Sequence, residues 1–106
     1  MPIDLSKMVT AEQKQQEVIS TAINTYRTAI QRIIDATANE RQYDSGATLA
    51  SYVNSTIEQW ASEAQAFVAW RDTVWLYALA ELDRVQKAER DQPSVEDFLA
   101  ELPAFE

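Results

Sequence analysis

A chain of 106 residues with 46% hydrophobic content and a net charge of −8 has the length of one domain and apolar material for one thin core. It contains no cysteine and no histidine, which excludes a disulfide framework, a thiolate metal site and the commonest general base and metal ligand. The charge is uneven: residues 1 to 53 hold six acids and five bases, and residues 54 to 106 hold eleven acids and four bases. That second half repels nucleic acid and anionic membrane, whose binding needs Lys and Arg to replace counterions, so neither is an expected partner.

No apolar run reaches the roughly 18 residues of a membrane span, and MPIDLSKMV lacks the layout of a signal peptide. A soluble protein made in the cytoplasm is expected. One Gly and three Pro leave few breaks and favour an all-α fold. Residues 1–9 form an arm without clear period. Thr10-Ala11-Glu12-Gln13 then has the form of a capping box and predicts a helix over 11–40. Ile19, Ile23, Tyr26, Ile30 and Ile33 recur at steps of four and three, with Glu17, Asn24, Gln31 and Asp35 off that line. The seam spans about two heptads, short of a coiled coil. Packing inside a helical hairpin or bundle is expected, with homo-oligomerisation through the seam as the alternative.

Tyr43-Asp44-Ser45-Gly46 predicts a turn, with Gly46 as the residue tolerant of positive φ. Residues 47–53 predict a short helix presenting Leu49, Tyr52 and Val53. A second capping box, Ser55-Thr56-Ile57-Glu58, opens a helix over 56–90, a rod of about 50 Å at about 1.5 Å per residue. Gln92-Pro93-Ser94 stops it, and Ser94 caps a short C-terminal helix over 95–102 that offers Phe98, Leu99 and Leu102, with Phe105 beyond. The expected arrangement is two long antiparallel helices with a short middle helix and a short C-terminal helix.

Projection of the long second helix places Trp60, Ala64, Val68, Trp75, Ala78, Leu79 and Leu82 on one face, with Phe67, Trp70, Val74 and Tyr77 on its flank. The combined arc is about 200°, wider than the stripe of about 100° that faces one layer. Either the C-terminal tail and short helix cover the excess, or Phe67, Trp70, Val74 and Tyr77, with Phe98 and Leu102, form a contact surface for a partner or a second copy. Arg71 falls inside this arc. It is expected to pair with a carboxylate from outside its own helix, Asp44 first and Asp35 second, or to stack on Trp75 with its head in water. Acid pairs such as Glu58 with Glu63 lie on helix surfaces, and Gly46 alone makes no phosphate loop. No catalytic residue, cofactor site or metal site is expected.

Tyr43-Asp44-Ser45, then Glu63, Gln65-Ala66-Phe67, Ala69-Trp70-Arg71-Asp72 and Val74-Trp75, then Pro93 to Leu102, resemble a group of small proteins encoded among the tail genes of tailed bacteriophages. The TAEQK run at Thr10 is similar to the opening of their first helix. The chain departs from them in reading Asn54-Ser55-Thr56-Ile57 where members often carry Pro or Asn-Pro. The resemblance implies a non-enzymatic tail-fibre assembly chaperone or minor tail component that binds tail-fibre or baseplate proteins, in the host cytoplasm during assembly or in the virion tail. The acidic second half supports an alternative, an inhibitor that mimics DNA or occupies a basic host protein.

Overall fold

The computed structural model describes residues 11–105, with side chains from residue 20 onward. The arm over 1–9 and Thr10 of the capping box lie outside the described residues, as do the side chains of Gln13, of Ile19 on the seam and of Glu17 off it. Among the described residues the chain is helical and holds no strand: α1 Ala11–Glu40, α2 Gly46–Ala50, α3 Glu58–Gln86 and α4 Val95–Ala100, with a 3-10 turn, Ser51–Asn54, following α2. None of these helices is long and apolar enough to cross a membrane.

Both long helices end on a left-handed residue that is not glycine. Gln42 stands at φ 73° and Ala88 at φ 58°. After α1, the Gln42 N–H donates to the Asn39 carbonyl at 2.9 Å and the Tyr43 N–H to the Ala38 carbonyl at 3.0 Å. After α3, the Ala88 N–H donates to Val85 at 3.1 Å and the Glu89 N–H to Arg84 at 2.9 Å. Each pair of bonds is a Schellman cap, which satisfies carbonyls that a helix end otherwise leaves unpaired. The cap at Ala88 is why α3 stops at Gln86 and not near Arg90.

Gly46 does not supply the positive φ expected of it. Its role is steric: a Cβ there would lie 2.9 Å from Ile34 Cγ2, 3.2 Å from Asp35 Oδ1 and 3.4 Å from Phe67 Cζ. The Gly46 N–H donates to Asp35 Oδ1 at 2.9 Å, tying the start of α2 to α1. Around it, Asn39 Nδ2 donates to the carbonyls of Tyr43 and Asp44, both at 2.9 Å, and Ser45 Oγ accepts the Thr48 N–H at 3.1 Å as the α2 cap. The Tyr43 to Gly46 turn is thus held by side chains bonding to backbone.

The middle of the chain differs from expectation at its boundaries. The single helix expected over 47–53 divides into α2 and the 3-10 turn. Ser55 does not cap α3: its Oγ accepts the Ile57 N–H at 3.0 Å, and α3 starts at Glu58 with Ile57 as an N-cap lacking a side-chain bond. Such a local bond two residues ahead competes with the helical turn. α4 does carry its cap, Ser94 Oγ accepting the Asp97 N–H at 3.1 Å.

The buried core runs through Tyr26, Ile30, Ile34 and Ala38 of α1, Leu49 of α2, Ala64, Phe67, Trp70, Val74, Ala78 and Leu82 of α3, and Phe98 of α4. On α1 the steps are all four residues, and each advances about 40° around the axis at 3.6 residues per turn. The buried line therefore winds, because α1 meets different neighbours along its length: the Tyr26 ring lies 5.2 Å from that of Phe98, whereas Ile34 meets the start of α2. Ile23 and Ile33, placed on the seam by spacing, sit at the margin of the core. On α3 the buried stripe centres on Phe67 and Val74, the supposed flank, and Leu79 of the supposed face is 49% exposed.

Gly46→Ala is expected to lower stability by about 1–3 kcal/mol, since a methyl must displace Ile34 at the point where α2 touches α1. A denaturant midpoint equal to the parent's would refute the steric role.

Candidate interaction site

The residues that the sequence nominates as a contact surface are mostly interior. Phe67, Val74 and Phe98 are fully buried and Trp70 is 9% exposed, while Tyr77 and Leu102 are half-buried. Most of the wide apolar arc of α3 is covered by its own chain, with Trp60 and Leu79 left exposed. The Trp70 indole Nε1–H donates to the Pro103 carbonyl at 2.8 Å. Phe105 brings its ring within 5.3 Å of Trp70 and 6.0 Å of Phe67, and the Arg41 guanidinium caps Phe105 at 4.2 Å. Phe67, Trp70, Val74, Tyr77, Phe98 and Leu102 thus form or edge the seam between α3 and the C-terminal segment, and they are not a free docking strip.

The expected pair of Arg71 with Asp44 is also corrected. Arg71 bonds its sequence neighbour, Nη2 to Asp72 Oδ1 at 2.9 Å and Nε to the same oxygen at 3.1 Å. Asp35, the second candidate, accepts instead from Gly46 N and, at 3.2 Å, from Gln31 Nε2. An arginine on the arc needs no buried partner because its stem spans the apolar margin and delivers the guanidinium to the surface.

The ion-pair network lies at Arg90, a residue that helical spacing does not single out because it follows the α3 cap. Arg90 Nη1 donates to Glu81 Oε2 at 3.0 Å, Nη2 donates to Glu101 Oε2, and the guanidinium lies 5.6 Å from the centre of the Phe98 ring. Tyr77 Oη donates to Glu101 Oε1 at 2.6 Å, and Tyr26 Oη donates to the Pro93 carbonyl. The bond from Arg90, and then that from Tyr77, hold the Glu101 carboxyl below its ordinary value of 4.5. The same bond to Glu101, followed by burial, raises the Tyr77 phenol above 10.0, and burial raises Tyr26. These groups fasten the segment after α3 back onto α3 and α1.

The exposed aromatic side chain is elsewhere. Trp60, in the first turn of α3, is 47% exposed. It faces the same side of the helix as Phe67 but lies where the chain passes from the 3-10 turn into α3, and its neighbour is Tyr52, at 5.7 Å and 85°. Tyr52 in turn meets Tyr43 edge to face at 5.5 Å. With Arg41, Gln42, Asp44 and Thr48 these three rings line an open cleft of about 400 Å³, within the size range of small-ligand sites. The sequence carries each of these residues, but Tyr43 and Tyr52 converge on Trp60 only through the turn and the 3-10 segment, which no period announces. Besides Trp60, the exposed large apolar side chains among the described residues are Ile57 beside it, Leu79, and Leu76 at 72% on the side of α3 away from the core. No family model matches the chain, and comparison with curated proteins and with solved structures gives no significant match.

Arg71→Met is expected to change stability by no more than about 0.5 kcal/mol, as for other partly exposed ion pairs. A loss several times larger would show that Arg71 has a hidden partner. The titrating groups set a pH window. Glu101, with its folded pKa depressed, adds stability that is full above 4.5 and is lost as pH falls through the folded value. Tyr26 and Tyr77, with folded values raised, add stability that is full below 10.0 and is lost as pH rises through those values. Melting temperatures across pH should fall at both ends, and Glu101→Gln should flatten the acid limb and also reduce the part of the alkaline limb that comes from Tyr77, leaving that from Tyr26. An unchanged acid limb in that variant would show that the Arg90 network contributes no pH-linked stability.

Proposed function

We propose that the chain is a non-enzymatic interaction protein that holds a tail-fibre or baseplate protein of a tailed phage during assembly, as chaperone or minor tail component. In this reading α1 and α3 run antiparallel and the aromatic cleft sits at the end where they are joined. The antiparallel course is supported by two contacts: Arg41, just past α1, reaches Glu63 near the start of α3 at 3.4 Å, and Tyr26 in mid α1 meets Pro93 and Phe98 beyond the end of α3. The phage context is supported by the YDS turn and the Gln65 to Trp75 motif.

The observation that carries the contact-making role is the half-exposed Trp60 standing over Tyr52 in an open cleft. Aromatic side chains left partly in water cost hydration free energy unless a partner covers them, and Trp, Tyr and Arg are the residue types in which interface energy concentrates. The folded chain already uses Phe67, Trp70 and Phe98 for its own core, so Trp60 replaces Trp70 as the expected anchor. The proposed interface is thus the α2, 3-10 and α3 corner and not the α3 flank.

Co-expression with tail-fibre and baseplate proteins of a tailed phage tests the proposal. One of them should co-purify, and Trp60→Ala should weaken that complex by about 2 kcal/mol, about thirtyfold, with the melting curve preserved. Failure of every tail protein to co-purify, or equal binding by the variant, would remove the basis of this reading.

A further inference from the structure

We infer that the cleft beside Trp60 receives an arginine side chain presented by the partner protein. The inference deepens the proposed function and rests on it only in taking the guanidinium to come from a protein. Three aromatic rings, Tyr43, Tyr52 and Trp60, converge there at centroid separations of 5.5 and 5.7 Å. Each ring carries partial negative charge on its face, which attracts a cation and repels an anion. The two adjacent contacts are edge to face, at 60° and 85°, so the rings do not stack flat on one another.

The charges on the lining point the same way. Arg41, the one base on the cleft wall, is already engaged: Nη1 pairs with Glu63 Oε2 at 3.4 Å, and its guanidinium covers Phe105, outside the cleft. Asp44, the one acid on the wall, is exposed and has no ion-pair partner among the described residues. Its backbone carbonyl is held by Asn39, which places the residue while leaving the carboxylate available. With Arg41 balanced by Glu63, the cleft presents aromatic faces and one uncompensated negative charge. A planar guanidinium satisfies both at once, because it stacks on rings and donates two parallel hydrogen bonds to a carboxylate. An acidic side chain meets repulsion from Asp44, and a plain aliphatic side chain leaves that carboxylate without a partner.

The test uses the full chain and N-acetyl-arginine methylamide as probe, with the norleucine and glutamate analogues as apolar and acidic controls. The assigned indole N–H resonance of Trp60 separates it from Trp70 and Trp75 in a two-dimensional NMR titration. The arginine probe should shift the Trp60 resonance to saturation in the millimolar range, about tenfold more tightly than norleucine, and the glutamate probe should leave it unmoved. Asp44→Asn should weaken the arginine probe about fivefold without altering the norleucine titration. In Trp60→Ala, followed through the Gln42 and Tyr52 amides, arginine binding should disappear. No shift with arginine, norleucine binding as tight as arginine, glutamate binding more tightly than arginine, or indifference of arginine binding to Asp44→Asn would each overturn the inference. Because the probe is a free amino-acid derivative, its failure with a tail protein still co-purifying removes the arginine site alone. Arginine binding without any tail partner upholds the site and removes the tail reading.

Discussion

Phe98 is carried on a helix of six residues, too short to hold itself together, and yet it is fully buried. Its ring packs against Tyr26 of α1, lies 6.4 Å from Tyr77 of α3 and has the Arg90 guanidinium near it. Burying a phenylalanine side chain contributes on the order of 1.5–3 kcal/mol, and this one ring gives the segment after α3 its reason to turn back. Once it is seated, Arg90 reaches Glu81 and Glu101, Pro103 receives the Trp70 indole, and Phe105 closes over Phe67. A chain with two long helices and little else has a core only because its last residues return to complete it.

That return decides which surfaces remain for other molecules. The aromatic arc of α3 is too wide for α1 alone, and the C-terminal segment, with α2, takes up the remainder along Phe67, Trp70 and Tyr77. It does not reach the first turn of α3, where Trp60 projects beside Tyr52. The candidate contact site is therefore displaced by about three helical turns from Trp70, roughly 15 Å along the axis, onto the corner built by the Schellman cap at Gln42, the Gly46 contact and the 3-10 turn. Gly46 matters to that corner because it lets α2 lie against Ile34 and Asp35, which positions the following Tyr52.

Local chemistry was legible in the sequence where neighbours along the chain settle it. The scarcity of Gly and Pro, the amphipathic periods and the Ser94 cap depend on residues within one or two turns, and they indicated a helical chain with a break near Tyr43 and a short helix after Pro93. The second capping box illustrates the limit of such reasoning. Ser55 has the right spacing to Glu58, but its hydroxyl bonds two residues ahead to Ile57, since a hydroxyl serves whichever N–H its backbone brings nearest. Gly46 is the converse case, a residue read for its φ and retained for its missing Cβ.

By itself the sequence determined the helical class, the approximate extents of the long helices, the lack of cysteine and histidine chemistry and the width of the apolar arc on α3, all properties of composition and local periodicity. Only the tertiary structure decided which part of that arc is covered, because coverage depends on where residues far along the chain return: Phe98 onto Tyr26, Pro103 onto Trp70, Phe105 under Arg41. It likewise decided that Arg71 pairs with adjacent Asp72, that Arg90 pairs with both Glu81 and Glu101 at the half-buried margin, and that Tyr43, Tyr52 and Trp60 share one cleft. Helical projection gives the direction of a side chain from its own axis, and burial is set by what stands opposite.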